Sequence, residues 1–390
     1  MGPFKRETFS GVPSATIRPP CSPAPGPTSI TQSLSATGGV GPYSFVVSSG
    51  SLPGGLALVN VMSCMLFGAI SGSAVAATSA IGSFMLPEMK KQGYDVNYSA
   101  AVTAAAATTG MLIPPSNILI VYAIASGGVS IAALFVAGYI PGILLGAALM
   151  IVCAGYARIK GYPVGARLPL KLVVQKVAAA LPSLFMIFLV IGGIIGGIFT
   201  ATEAGAIAVI YSLILAVGLY REVKVSELSG ILMKAAETTA IVMFLVAAAG
   251  VSAWLITTAS IPQQVADLVR PFMDNKMLLM FILMLMVFII GTALDFTPTV
   301  LIMTPVLMPV VKEAGIDPVY FGVLFIINNA IGLVTPPVGT VLNVVCSIAK
   351  IPMSGAIKGV MPFMIAQTIV MLLLIVFPQI VMWPLHMMTR

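Results

Sequence analysis

The sequence predicts an all-α membrane protein made of inverted repeats, with two re-entrant hairpins and two discontinuous helices. Three observations carry that prediction. The composition is too apolar for a water-facing surface, the chain resembles itself at an offset of 222 residues, and its basic residues collect on one side of the resulting helix order. The 390 residues are 59% hydrophobic and 8% charged, with a mean hydropathy of +1.08. A soluble domain carries about 25% charged residues, so this chain needs lipid around it.

The self-similarity is gap-free over some forty residues. It aligns Pro87, Lys90, Gly93, Asp95 and Tyr98 with Pro309, Lys312, Gly315, Asp317 and Tyr320. Further on, Gly110 and the pair Pro114-Pro115 fall on Gly332 and the pair Pro336-Pro337, and Ser73 falls on Asp295. Each copy reads as the same module. In the first, arms 56–70 and 74–86 meet at Ser71-Gly72-Ser73; both are too short for a full crossing of about 20 residues, so they form a re-entrant hairpin. The segment 97–128 follows, broken at Pro114-Pro115, because proline lacks a backbone N–H and clashes with the preceding turn. Spans at 131–157, 180–200, 203–220 and 235–256 come next. The second hairpin, 277–312, turns at Asp295-Phe296-Thr297-Pro298; the second broken segment is 318–348, and 361–384 is a last crossing.

Charge decides how the copies are related. With the first hairpin opening to the cytoplasm, that side holds Lys90, Lys91, Arg158, Lys160, Arg167, Lys171, Lys176, Arg221, Lys224, Lys234, Lys350 and Lys358. The outer side holds only Arg270, Lys276, Lys312 and Arg390. Twelve against four obeys the positive-inside bias and places the two hairpins on opposite sides. The net charge of +7 is thus a topology signal, not a nucleic-acid surface. His386 and the four cysteines have no metal or redox spacing, and no phosphate-binding GxxxxGK[ST] loop occurs. Neither a cofactor nor an enzymatic activity is expected.

Broken helices meeting near the midplane build the sites of secondary transporters. Exposed carbonyls suit a hard cation such as Na⁺, and half-helix N-termini suit a carboxylate. The candidate Na⁺ and substrate residues are Ser71, Gly72, Ser73, Gly110, Ser116 and Asn117 in the first copy, and Asp295, Thr335, Gly339 and Thr340 in the second; Pro114-Pro115 and Pro336-Pro337 read as the scaffold of each break. Small residues at the first tip are also consistent with helix packing. Asp295 either takes part directly, as ionisable groups at membrane depth do, or caps the half-helix after it. Asn328 and Asn329 read as packing hydrogen bonds, and Glu203, in "FTATEAG", reads as a carboxylate at a helix N-terminus. Gly192-Gly-Ile-Ile-Gly-Gly197 offers close helix contact, inside the chain or to a partner. Trp254 and Trp383 read as interfacial anchors.

"LFGAISGSAVAATSAIG", "LPEMKKQGYD", "GMLIPPSNILIVYAIASG", "GIFTATEAGAIAVIYSL" and "GLVTPPVGTVLNVV", in this order, resemble the large membrane (M) subunit of TRAP (tripartite ATP-independent periplasmic) transporters. Ala201, where the family usually has proline, and Ala74 are small departures. The resemblance implies a multi-pass subunit in the bacterial inner membrane that imports organic acids such as C4-dicarboxylates with Na⁺. It also implies a small membrane (Q) subunit, a periplasmic substrate-binding protein and an elevator-type movement, with Ser71, Gly72, Ser73, Gly110 and Pro114 in one ion clamp and Asp295, Thr297, Thr335, Pro336 and Gly339 in the other.

The domains expected are 1–50, a polar segment outside the family pattern; 51–176, the first repeat; and 177–390, the second. Segment 1–50 resembles the end of a bacterial immunoglobulin-like repeat, which predicts a junction near residues 51–56 and a first repeat without its leading scaffold helices. Two alternatives therefore stand beside the importer: an inactive chimaeric fragment, and an anion carrier of similar architecture that works without a binding protein.

Overall fold

A computed structural model describes residues 54–162, 170–336 and 338–388. Segment 1–50, residues 51–53 of the junction expected at 51–56, and Pro337 lie outside these residues. Among the described residues every regular element is helical.

The first module is a hairpin and a broken helix. Helix α1 (Gly55–Ser71) stops at Gly72, whose φ of 61° places it in the left-handed region open to glycine and whose N–H donates to Gly68 O. Helix α2 (Ala74–Lys91) starts at once, because the Ser73 hydroxyl accepts from Ala76 N. After a turn at Gly93, Asp95 caps α3 (Val96–Thr109) by accepting from Tyr98 N at 2.8 Å. The chain loses helical form from Gly110 to Ser116 and regains it in α4 (Asn117–Ala125). The long α5 (Ile131–Lys160) then crosses back.

The middle of the chain is α6 (Leu170–Ile195), α7 (Ala201–Leu213) with a π-helical extension to Leu219, α8 (Leu228–Thr258) and α9 (Ile261–Val269). Glu203 has the structural role its position suggests. Thr200 Oγ1 accepts from Glu203 N, while Glu203 Oε2 accepts from Thr200 N at 2.7 Å; together they form a capping box that starts α7. Gly193 faces the ring of Phe199 across the turn that ends α6.

The second module repeats the first: hairpin α10 (Lys276–Gly291) and α11 (Phe296–Glu313), then α12 (Pro318–Gly332), a break, and α13 (Thr340–Ala349). Asp317 caps α12 as Asp95 caps α3. Helices α14 (Met353–Val376) and α15 (Gln379–Met388) close the chain. The spans Ile131–Lys160, Ala201–Leu219, Val225–Thr258 and Met353–Val376 are each long and apolar enough to cross a bilayer. At 1.5 Å per residue, the 17 residues of α1 reach about 26 Å, short of a hydrocarbon core of about 30 Å.

The boundaries differ from expectation in three places. Helices α6 and α8 begin earlier, at Leu170 and Leu228. Helix α9 lies in a stretch expected to be a connection; Pro262 in its first turn is a helix-start signal that the apolar pattern alone did not carry. The expected crossing 361–384 is two helices, since Pro378 removes a donor and disfavours helical geometry at Phe377.

Small residues let the two modules close on themselves. Helix α3 buries Ala100, Ala101, Ala104, Ala105, Ala106 and Ala107 completely, so α1, α2, α13 and α14 all pack on it. A Cβ on Gly110 would lie 2.5 Å from Gly68 Cα, and one on Gly332 would lie 2.8 Å from Gly291 O. In each module the first hairpin arm thus crosses the broken helix backbone to backbone, just where the latter loses its regular form.

Three polar contacts mark which helix ends share a level. Tyr122 Oη, near the end of α4, donates to Pro318 O at the start of α12 at 2.7 Å. Tyr320 Oη, also near the start of α12, donates to Leu374 O near the end of α14. Asp95 N, at the start of α3, donates to Tyr162 Oη just beyond the end of α5.

Two stability outcomes follow. Gly110→Val and Gly332→Val, which force a side chain into backbone, are each expected to cost about 1–3 kcal/mol, read as a lower denaturation midpoint in detergent; an unchanged midpoint would show that the crossings are loose. Thr200→Val combined with Glu203→Leu removes the α7 cap and is expected to cost about 1 kcal/mol, with uptake per folded molecule unchanged.

Candidate ion and substrate site at the helix breaks

The first hairpin tip rests on the restart of the first broken helix. A Cβ on Gly72 would lie 2.8 Å from Asn117 N, the first residue of α4. Ser71, Gly72, Ser73 and Asn117 are therefore brought together. Ser73 Oγ is occupied as the cap of α2, and Ser71 Oγ lies 3.4 Å from Ser73 N and O. Gly110 sits a turn back along the hairpin, against Gly68. Pro114 is buried and joined to Pro115 by a cis peptide. Ser116 is buried and donates inward to Met111 O, so its hydroxyl braces the break. At the N-cap of α4 it makes no side-chain cap, which leaves the first N–H groups of α4 without that partner.

The second tip meets the second restart in the same way. Asp295 Oδ1 accepts from Thr340 Oγ1, on the first residue of α13, at 3.4 Å. Although Asp295 occupies the N-cap position of α11, its carboxylate makes no cap there, so it reaches across to the broken helix instead. Its backbone carbonyl accepts from Thr299 Oγ1 at 2.8 Å. Gly339, at the N-cap of α13, has a φ of 44° and no side chain with which to cap it. Thr335 Oγ1 donates to Ile331 O at 2.7 Å and lies 3.8 Å from Met364 Sδ. Thr297 and Pro336 are half-buried. Asp295, Thr340 and Gly339 converge; Thr297 is the second residue of α11 and Thr335 lies on the far limb of the break.

A cavity of about 330 Å³ adjoins the first tip. Ser71, Asn117 and Ser212 supply its polar lining, and Phe67, Met186, Val190 and Gly205 are among its apolar walls. It therefore lies between the hairpin module and helices α6 and α7. Among the described residues no group of three or more His, Cys, Asp or Glu side chains is placed to hold a metal ion; the oxygens at the breaks are carbonyls, hydroxyls and amides, with the Asp295 carboxylate at the second.

Several buried polar side chains tie neighbouring helices together, Asn328 and Asn329 by the packing hydrogen bonds expected of them. Asn328 and Asn329 are fully buried, and each donates to a backbone carbonyl, of Met284 and Phe296 respectively, while each Oδ1 has no hydrogen-bond partner. Gln367 of α14, also buried, donates from Nε2 to Thr108 Oγ1 at 3.0 Å and Ala105 O at 3.2 Å, one turn ahead of the first break. Asn60 of α1 donates to Thr103 Oγ1 at 2.7 Å. The sequence reading passed over Gln367 and Asn60. The signal for both is a lone amide inside an apolar helix, which must find a partner in lipid.

Comparison with known proteins identifies the family. The family described as "Tripartite ATP-independent periplasmic transporter, DctM component" matches residues 43–380, beginning ahead of the boundary at residue 51 expected above. "Uncharacterized protein YgiK" of Salmonella typhimurium is 48% identical over 85% of the chain and 76% of its own length. The "2,3-diketo-L-gulonate TRAP transporter large permease protein YiaN" of Escherichia coli is 43% identical over 86% of the chain and 79% of its own. The "C4-dicarboxylate TRAP transporter large permease protein DctM" of Pseudomonas aeruginosa is 35% identical over 85% and 77%. Family match, identity and apolar helices together show a multi-pass membrane protein that is a permease and not an enzyme: the chain belongs to the large permease (DctM) family of TRAP transporters.

Proposed function

We propose that the chain is the permease subunit of a Na⁺-coupled, binding-protein-dependent importer of organic acids in the inner membrane. One observation carries this reading: in both modules a hairpin tip touches the uncapped restart of a broken helix, at Gly72–Asn117 and at Asp295–Thr340. Such a junction gathers backbone carbonyls, hydroxyls and helix-start N–H groups that no side chain caps. Oxygens there are suited to Na⁺, and the starts of α4 and α13 to a carboxylate.

The reading takes 51–176 and 177–390 as inverted repeats. Supporting this, the end of α4 meets the start of α12 through Tyr122 and Pro318. At the opposite level, the start of α3 meets the start of α14, since a Cβ on Gly359 would lie 2.8 Å from Asn97 O. Helix α13 ends only three residues before α14 begins, so the two broken helices run in opposite senses.

The site residues proposed are those named from the sequence, Thr340 among them. The acid would lie against Ser71 and Asn117 in the cavity facing α6 and α7, with an elevator-type movement of the hairpin modules past those helices exposing it to either side. Coupling requires Na⁺ to favour the state that also takes the acid, because a ligand shifts an equilibrium only by its differential affinity. The names of two relatives carry acids, 2,3-diketo-L-gulonate and C4-dicarboxylate, which supports a carboxylate substrate. A small membrane subunit and a secreted binding protein would complete the system.

Reconstituted with both partners, the chain should take up C4-dicarboxylates or sugar acids only under an inward Na⁺ gradient; uptake indifferent to Na⁺ would end this reading. Asp295→Ala and Ser73→Ala should each raise the Na⁺ concentration for half-maximal uptake about tenfold, which corresponds to about 1.4 kcal/mol. Gly72→Ala, strained at positive φ and crowded by Asn117, should abolish uptake while the protein still reaches the membrane.

A further inference from the structure

A second cavity, of about 600 Å³, lies at the other end of α3 from the break. The 14 residues of α3 put about 20 Å between the two. The cavity is lined by Tyr94, Tyr98, Tyr156, Tyr162, Lys160 and Lys358, drawn from the turn before α3, from α3 itself, from the end of α5 and from α14. The tyrosines form a wall: Tyr94 stacks on Tyr162 with centroids 4.4 Å apart, and Tyr98 on Tyr156 at 4.5 Å. Lys160 Nζ lies 6.0 Å from the centre of the Tyr156 ring, and both lysines are exposed. Neither lysine makes an ion pair with a carboxylate among the described residues.

The carboxylate lining the cavity is Asp95, and its Oδ1 is taken up in capping α3. Two ammonium groups thus face one committed carboxylate, beside phenols. Burial pushes the Tyr94 and Tyr162 phenols above their ordinary range, so these groups keep their protons and can donate. Such a lining suits an oxyanion that accepts several hydrogen bonds. Basic pockets between membrane helices are places where lipid head groups bind, and tyrosines gather at the level of those head groups.

We propose that this Tyr/Lys cavity binds a phosphate group, with Lys160 and Lys358 holding its charge and the tyrosine wall its ester side. The group would come either from an anionic phospholipid or from free phosphate. Anchored between α3, α5 and α14, it would fix the base of the first broken helix without entering the ion site.

The test uses the purified full chain in a non-ionic detergent, titrated with dihexanoylphosphatidylglycerol and, separately, with inorganic phosphate. Saturable binding is expected, weakened at least tenfold in Lys160→Gln/Lys358→Gln and unchanged in Lys224→Gln/Lys234→Gln. Tighter binding of the lipid identifies a head-group site, and equal binding identifies a free-oxyanion site. Absence of saturable binding to either probe overturns the proposal, as does equal weakening in both double variants. Because the readout is binding and not uptake, failure here leaves the transport reading untouched.

Discussion

Everything in this fold depends on one constraint: a peptide group at membrane depth needs a partner, and two proline pairs remove the helix that would supply it. In hydrocarbon each unpaired N–H or C=O costs several kcal/mol. The breaks at 110–116 and 333–339 are therefore tenable only inside protein. Their surroundings answer that need. Gly68 and Gly291 bring a second backbone against each break, Ser116 and Thr335 return hydroxyls to main-chain carbonyls, and Gln367 reaches in from α14.

The same enclosure leaves the chemistry at the breaks unspent. A helix restart without a side-chain cap, as at Ser116 and Gly339, presents N–H groups together with the positive end of the helix dipole. Asp295 adds a carboxylate that does not cap its own helix. The buried oxygens of Asn328 and Asn329 have no protein partner. Polar groups left so in an apolar interior are costly unless a ligand uses them. Fold and proposed function are thus two faces of one arrangement: burial that makes the breaks affordable also makes them selective for what enters.

Much of this was legible in the sequence, and the reasons are specific. Short arms around Gly72 and around Asp295 gave the hairpins, because span length is a hard limit in a bilayer. The offset of 222 residues gave the correspondence of Asp95 with Asp317, and both turn out to cap their helices. The T-x-x-E pattern at Thr200 gave the start of α7. What stayed hidden depends on contacts between distant segments. No local pattern pairs Gly68 with Gly110, turns Asp295 toward Thr340, or sends Gln367 to Thr108. The division of 361–384 was readable at Pro378, but hydropathy, averaged over a window, masked it. Of the residues named from the sequence, Ser71, Gly72, Ser73 and Asn117 come together at one tip and Asp295 and Gly339 lie at the other, whereas the Ser116 hydroxyl turns inward to Met111 O.

The central claim is that the two modules are mirror copies, entering the bilayer from opposite sides. The most direct measurement is labelling of single cysteines in the two equivalent turns, Lys91→Cys and Glu313→Cys, with a membrane-impermeant maleimide on right-side-out and inverted vesicles. The account predicts that Lys91→Cys reacts only in inverted vesicles and Glu313→Cys only in right-side-out ones. Reaction of both from the same side would contradict it.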